Sequence, residues 1–373
     1  MKKNILFWSP FVGNIGTKRA VINSAKAISK YSNHKVYLLN VLGEFNDFND
    51  KNIEKINIFN VYSVAPGTGI FSKIFILTFS FLSIPYLFWI IKKKKINLIL
   101  SFLLGIFPLF VKQFFKNVKI IMSIQGYPKF TFVRSMLWKI FYTKAYKIFT
   151  MSSLTKNLIN KTINYDDIVV TNNPIISREL SILSKEKLND LEKKIFSKKV
   201  IICVGRLTRQ KRFLDIIQAI QNLDKELTKN FNLVILGEGE QRELIISEIR
   251  KQKVENVFLL GHKNNPFKYI ANSEIFISSS LWEDPGHALI ESAYLNTFII
   301  TSECDAGPKE IFLNRYNCLS YEPKNINMLS KQIKVFFQGL SKKEKNNMKL
   351  NAKKLSKNYT EFMFYKTINR FLI

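Results

Sequence analysis

The stretch from Ser278 to Ile311, SSSLWEDPGHALIESAYLNTFIITSECDAGPKEI, concentrates the residues best placed to do chemistry. A strand end leads through Pro285 and Gly286 into a helix predicted to open at about His287, with apolar positions continuing through Leu295. Glu283 then lies in the loop before the helix, and Glu291, four residues after His287, shares a face with it. The first turn of a helix offers backbone N–H groups without partners inside the helix, together with the positive end of its dipole. The start formed by Gly286, His287, Ala288 and Leu289 therefore suits a diphosphate. A carboxylate at Glu291 can accept hydrogen bonds from both hydroxyls of a ribose whose phosphates sit at that start.

In this context Glu283 and Glu291 reproduce a Glu-x7-Glu pattern, and the segment resembles glycosyltransferase family 4. Members of that family have the GT-B fold and retain anomeric configuration at the transferred sugar. After the paired glutamates the family has a helix, a strand and a Gly-containing turn followed by Glu. Here FIITS leads to Asp305, Ala306, Gly307, Pro308, Lys309 and Glu310. Upstream, VIICVGRL ends in Gly205 and Arg206, and Lys211 follows five residues later. This is similar to the family's Gly-Arg-Leu with a downstream Lys, two cations that embrace the donor diphosphate. Fixed cations stabilise the charge that accumulates on a departing diphosphate. NLVILGEGEQRE, with Gly237 and Gly239, and NVFLLGHKNN, with Gly261 and His262, resemble the next two strand-end turns of the family. The resemblance implies that these turns border the nucleotide base, where glycine permits close backbone approach.

The N-terminal half matches more loosely. SPFVGNIGTKRA places Gly13 and Gly16 between the first strand and the first helix, where this fold closes a loop over donor phosphate or acceptor; a plain tight turn explains the same glycines. VTNNPII, with Asn173 and Pro174, resembles the family's Asn-containing turn before the interdomain connection. Many family members carry a His at the end of the fourth N-terminal strand, near the reacting sugar, whereas SIQGYP offers Gln125 and Gly126. Glutamine can hydrogen-bond a sugar hydroxyl but cannot serve as a general base.

These residues need a scaffold, and short apolar runs alternate with helix-like segments along the whole chain, the pattern of parallel sheets with helical crossovers. NILFWSP, KVYLLNV, INLILSF, KIIMSIQ and KIFTMS read as strands of a first half, and VIICVGRL, NLVILG, NVFLLG, IFISSS and FIITS as strands of a second. The fold class expected is α/β, with two Rossmann-like, doubly wound domains facing across a cleft in the GT-B manner. Residues 1–175 form the N-terminal, acceptor-side domain, residues 176–355 the donor-binding domain, and residues 356–373 a helix packing back on the first domain. Residues 176–198, rich in Lys, Glu, Ser and Leu, read as a solvated connection.

The 373 residues carry a net charge of +29, with 57 Lys and Arg against 28 Asp and Glu. Residues 1–170 hold 24 of these cations and 6 of the acids, so the N-terminal half is the more basic. Such a surface attracts phosphates, nucleic acid or an anionic bilayer, and a lysine-rich compositional bias accounts for the same excess. The uncharged run Ile74 to Ile91, followed by Lys92 to Lys95, has the minimum length of a membrane span. Spanning would split the first sheet, which favours a buried crossover helix first and an interfacial helix second, ahead of a span. Three cysteines without zinc or disulfide spacing suggest a reducing, cytoplasmic setting, with the protein peripheral at the inner face of the plasma membrane.

No Asp-x-Asp signature appears, and Asp47 and Asp50 read as a surface loop. No metal and no cofactor is expected, and Arg206, Lys211 and the helix start would do a divalent cation's work. The resemblance implies a retaining hexosyltransferase with Arg206, Lys211 and Glu283 as catalytic residues. Its donor is expected to be a UDP-linked nucleotide sugar, and its acceptor lipid-linked or saccharide, in cell-surface polysaccharide or lipopolysaccharide synthesis. An epimerase or phosphorylase on the same fold would need acid and base residues around the sugar, and only His34, His262 and His287 are histidines. A non-catalytic basic protein would leave the order of Arg206, Lys211, Glu283 and Glu291 unexplained. Nucleic-acid binding would need aromatics interleaved with cations for stacking, whereas the phenylalanines look like core.

Overall fold

The computed structural model describes residues 2–13, 16–65, 69–251 and 256–372. The chain divides into two compact units, one of residues 1–175 with 360–373 and one of residues 176–359.

The first unit is built on seven strands: β1 (Asn4–Trp8), β2 (Lys35–Asn40), β3 (Ile53–Asn57), β4 (Leu98–Ser101), β5 (Lys119–Ser123), β6 (Lys147–Thr150) and β7 (Ile168–Val170). All pair in parallel, in the order β3-β2-β1-β4-β5-β6-β7. Interior strands of such a sheet are covered on both faces, so they read as unbroken apolar runs, as β1 and β4 do. The helices are α1 (Gly16–Tyr31), α2 (Ile70–Leu82), α3 (Ile84–Lys93), α4 (Ile106–Lys112), α5 (Phe132–Phe141) and α6 (Ser153–Ile163). On one face Leu6 and Trp8 of β1 join Ile90 of α3, Leu109 of α4, Trp138 of α5 and Ile159 of α6. On the other, Ile5 and Phe7 join Val21 and Ile28 of α1 and Phe364 and Ile368 of the C-terminal helix Glu361–Leu372. That helix lies on α1, with the Tyr31 ring 5.4 Å from Phe362 and 5.9 Å from Tyr365.

The uncharged run is therefore not one helix. It breaks at Ser83, where α2 and α3 meet at a 45° bend. Pro85 lacks the N–H that would continue the ladder, and the Ser83 hydroxyl donates to Ser80 O at 2.6 Å. No single helix among the described residues is long and apolar enough to cross a membrane.

The second unit opens with α7 (Arg178–Leu183) and α8 (Asp190–Ile195), so the segment 176–198, read as a solvated connection, is mostly exposed but helical. Leu180 is buried, and Asn189 and Glu192 form a capping box at the start of α8. Glu192 accepts from the Tyr269 hydroxyl and pairs with Lys268 at 2.9 Å, which ties the segment to the unit's body. The polar composition that suggested solvation supplies these inward bonds. Six parallel strands follow in the order β10-β9-β8-β11-β13-β15: β8 (Lys199–Val204), β9 (Phe231–Leu236), β10 (Val257–Gly261), β11 (Ile275–Ser278), β13 (Phe298–Ser302) and β15 (Leu319–Tyr321). The two-residue strands β12 (Trp282–Glu283) and β14 (Asp305–Ala306) pair separately. Both large sheets reverse strand order between β1 and β4 and between β8 and β11, the crevice positions where doubly wound sheets take ligands.

Candidate active site

At the switch point of the second unit, β8 ends at Val204 and the chain turns through Gly205, Arg206 and Leu207. Three strand-end turns are stitched together there. Gly205 N donates to Leu236 O (3.0 Å), Leu207 N to Glu238 O (2.9 Å), and Gly237 N to Gly261 O (2.9 Å). The glycines have a steric cause: a Cβ on Gly237 would sit 1.8 Å from Gly205 O, and one on Gly239 would sit 2.5 Å from Leu207 O. Their close approach is thus to the turn that carries Arg206. Arg206 and His262 are both exposed.

Beyond this turn a second network joins the end of β8 to the end of β11. The Ser279 hydroxyl donates to Lys211 O (2.7 Å) and Arg212 O (2.9 Å). Gln210 Nε2 donates to Trp282 O (2.7 Å), and Leu281 N to Gln210 O (2.9 Å). Arg212 clamps Asp215 through two bonds of 2.6 and 2.7 Å and fixes the first turn of α9 (Phe213–Gln221). Held in this way, Lys211 Nζ pairs with Glu283 Oε1, and the Ser280 hydroxyl donates to that same oxygen at 2.6 Å. Their side chains are 22% and 11% exposed, so the pair is only partly shielded from solvent.

Glu283 belongs to β12, which corrects its placement in a loop. Trp282 and Glu283 register with Asp305 and Ala306 of β14. A Cβ on Gly307 would lie 2.4 Å from Pro285 Cα, so the Asp305–Gly307 turn can brace the 282–286 segment only with glycine there. The Ser302 hydroxyl completes the brace by donating to Ser280 O at 2.6 Å. The helix His287–Tyr294 then starts from Gly286, whose φ of +90° favours glycine. Lys211, Ser280, Glu283, Gly286, Ala288 and Leu289 line one pocket. Glu291 is one turn further along and only 3% exposed.

The thiols do not add a nucleophile. Burial, with the Glu283 carboxylate second, pushes the Cys304 thiol up to about 12, and burial raises Cys203 and Cys318 further. No three of His, Cys, Asp and Glu converge among the described residues. Asp47 pairs with Lys18 at 2.6 Å, and Asp50 Oδ1 accepts from Asn52 N at 2.9 Å.

In the first unit Gly13 takes φ +84°, and the Tyr62 hydroxyl holds its backbone, accepting from Gly13 N (3.0 Å) and donating to Gly13 O (3.3 Å). Gly16 is the first residue of α1. Gln125 Oε1 accepts from Asn173 Nδ2 at 2.7 Å and its Nε2 donates to Ser123 Oγ at 2.7 Å, so the two amides lock each other at the ends of β5 and β7. Sequence reasoning missed Gln210, Ser279, Ser280 and Tyr62. Three consecutive serines at a strand end were the signal for two of them.

Residues 185–355 match the family model described as glycosyl transferases group 1. An uncharacterized glycosyltransferase of Methanocaldococcus jannaschii is 34% identical over 187 residues, 49% of this chain and 46% of its own. The N-acetylgalactosamine-N,N'-diacetylbacillosaminyl-diphospho-undecaprenol 4-alpha-N-acetylgalactosaminyltransferase of Campylobacter jejuni is 32% identical over 182 residues, 48% of each chain. The matches thus span about half the length of these curated relatives. Among solved structures, a glycosyltransferase from Rickettsia africae superposes with a TM-score of 0.80 at 17% identity, covering 99% of this chain and 98% of that one. Anabaena HepE in complex with UDP superposes with a TM-score of 0.76 at 13% identity, covering 100% and 99%.

Proposed function

We propose that the chain, whose residues 185–355 match the glycosyl transferases group 1 model within a two-domain GT-B fold, is a family 4, retaining hexosyltransferase. Its donor is a nucleotide diphosphate sugar, most simply UDP-linked, and its acceptor is a saccharide or a lipid-linked saccharide. Similar proteins support the reading: HepE is solved in complex with UDP, and the Campylobacter jejuni enzyme is named for a diphospho-undecaprenol.

The observation that carries the proposal is the Lys211–Glu283 pair beside the Gly286 helix start. The N–H groups of the first helical turn and Lys211 receive the donor diphosphate, with Arg206 reaching it from the preceding turn. Lys211 has three donor hydrogens, so it can hold Glu283 and a phosphate oxygen together. Among the described residues the bonds to Glu283, from Lys211 and Ser280, fall on Oε1, which leaves Oε2 to accept from a sugar hydroxyl. Glu291 takes the ribose. In the reaction the acceptor oxygen bonds to the anomeric carbon on the face from which the phosphate oxygen departs, and the acceptor proton passes to that leaving oxygen. The cations stabilise the charge built up as the bond breaks, the work a divalent ion does elsewhere.

Proton NMR of the product from an α-linked donor, run with and without EDTA, tests this reading. An α-linked product at an unchanged rate in chelator is expected. A β-linked product overturns retention, and loss of activity in EDTA overturns the metal-free mechanism.

A further inference from the structure

The helix α2 is apolar on both sides: Phe75, Ile76 and Phe79 pack partly buried against the core of the first unit, and an apolar stripe faces outward. Among its thirteen residues the buried ones are Ser72 and Ser80, whereas Phe71 is 72% and Phe81 63% exposed, with Ile74 and Leu77 between them. The buried Ser80 hydroxyl has no hydrogen-bond partner among the described residues. The stripe continues on α3, where Leu87, Ile90 and Ile91 enter the core and Trp89 stands outside with Lys93 Nζ 4.2 Å from its ring centroid. A second apolar stripe lies on α5, of whose ten residues only Trp138 is buried, while Phe132 is 85% exposed and Val133 59%. The two stripes share one side of the sheet: α3 packs beside α4, and α4 beside α5. Exposed apolar patches of this kind mark contact with a partner or with lipid.

Charge decides between them. Residues 55–165 contain 16 Lys and Arg and no Asp or Glu. A lysine-rich compositional bias adds cations everywhere, but it does not empty one segment of acids while residues 171–373 hold 22. Of the four consecutive lysines, Lys94 is turned back to Glu54 at 2.6 Å, and Lys92, Lys93 and Lys95 are exposed. Aromatic and aliphatic side chains at the tips of helices flanked by unopposed lysines fit a surface with anionic headgroups above hydrocarbon.

We propose that the outward side of α2, α3 and α5 docks the chain reversibly on an anionic phospholipid bilayer, with Phe71, Phe81, Trp89, Phe132 and Val133 entering the headgroup boundary. The helices do not span, because the inner side of α3 is part of the protein core. The inference stands on the surface of the first unit and does not depend on the reaction proposed for the second.

The test is co-sedimentation of the full chain with vesicles of phosphatidylglycerol mixed into phosphatidylcholine, and with phosphatidylcholine alone. Binding to the mixed vesicles is expected to be at least roughly tenfold stronger, and to be released between about 0.1 M and about 1 M salt as the screening length falls from about 10 Å to about 3 Å. F71S/F81S and F132S/V133S, changed only at exposed positions, should each weaken binding by at least roughly tenfold while leaving the circular dichroism spectrum unchanged. Replacing Lys92, Lys93 and Lys95 by Gln should do the same. Binding that resists high salt and needs detergent for release overturns the peripheral assignment. Absence of binding to mixed vesicles overturns docking, and so does binding unaffected by both serine pairs. A dimer in sedimentation velocity that these pairs dissociate, without vesicle binding, makes the face a self-interface instead.

Discussion

Lys211 and Glu283 lie 72 positions apart and meet as an ion pair, brought there by hydrogen bonds of the Gln210 and Ser279 side chains to backbone carbonyls that join the segments after β8 and β11. Neither residue is placed by its own neighbours in sequence alone. In the proposed reaction, a donor phosphate entering beside the pair would find a cation already oriented.

Removing either partner should therefore affect turnover more than folding. Lys211→Ala is expected to slow turnover by about a hundredfold or more, because it deletes charge stabilisation of the leaving group. Glu283→Gln should also slow turnover, and the double variant should lose less than the product of the two single losses, since the residues act as a unit. Arg206→Ala should show a similar loss of about a hundredfold with an unchanged urea midpoint, because its side chain is exposed. Initial rates and urea midpoints for the four variants check this; multiplicative losses would mean that the pair does not act together.

Glu291→Gln keeps shape and removes charge. Donor affinity should fall by about 1–3 kcal/mol, the scale of a charge-assisted hydrogen bond, and a 2′,3′-dideoxy donor should be indifferent to the change. Calorimetric titration of both ligands distinguishes the ribose role from a structural one, in which the two donors would weaken equally.

Gly237→Ala tests why that glycine is there. A methyl group would land 1.8 Å from Gly205 O at a φ of +150°, so the turns carrying Gly205 and Gly237 must separate. A loss of about 1–3 kcal/mol or more in urea unfolding is expected. An unchanged midpoint would show that the turns are not packed as described.

Glu44 gives a pH signature. Its burial pushes the carboxyl up to about 7 from a usual 4.5, against the pull of the N–H groups of Leu42 and Val41 that donate to it at 2.6 and 3.2 Å. Between those values the folded state binds the proton that the unfolded state has released. This group's contribution is therefore full below about 4.5 and declines as the pH rises towards about 7. Glu44→Gln should flatten the wild-type fall in urea midpoint between those pH values, and an identical slope in both proteins would contradict it.

What the sequence left out follows a physical pattern. β3, β7 and β15 were not read as strands, and each is a sheet edge. The half-exposed edge strand IEKIN lacks the apolar run that announced the interior strands, and β7 and β15, three residues each, are too short to show a pattern although β15 is buried throughout. The spacing of Arg206, Lys211, Glu283 and Glu291 was legible because each follows a strand end or a helix start. The Gln125–Asn173 amide lock was not, since its members are 48 residues apart and meet only when β5 and β7 take their places on either side of β6. Nor was the outward apolar stripe of α2, because a helix apolar on both sides does not say which one faces the core.

The central claim is transfer from a nucleotide diphosphate sugar by way of Lys211. Its most direct test is mass spectrometry of the purified full chain incubated with a panel of nucleotide sugars, alone and with saccharide and lipid-linked acceptors, beside Lys211→Ala. Release of a nucleoside diphosphate with hydrolysis or transfer of the sugar, lost by about a hundredfold in Lys211→Ala, is the predicted result. Release at the same rate in both proteins, or from no donor in the panel, would contradict it.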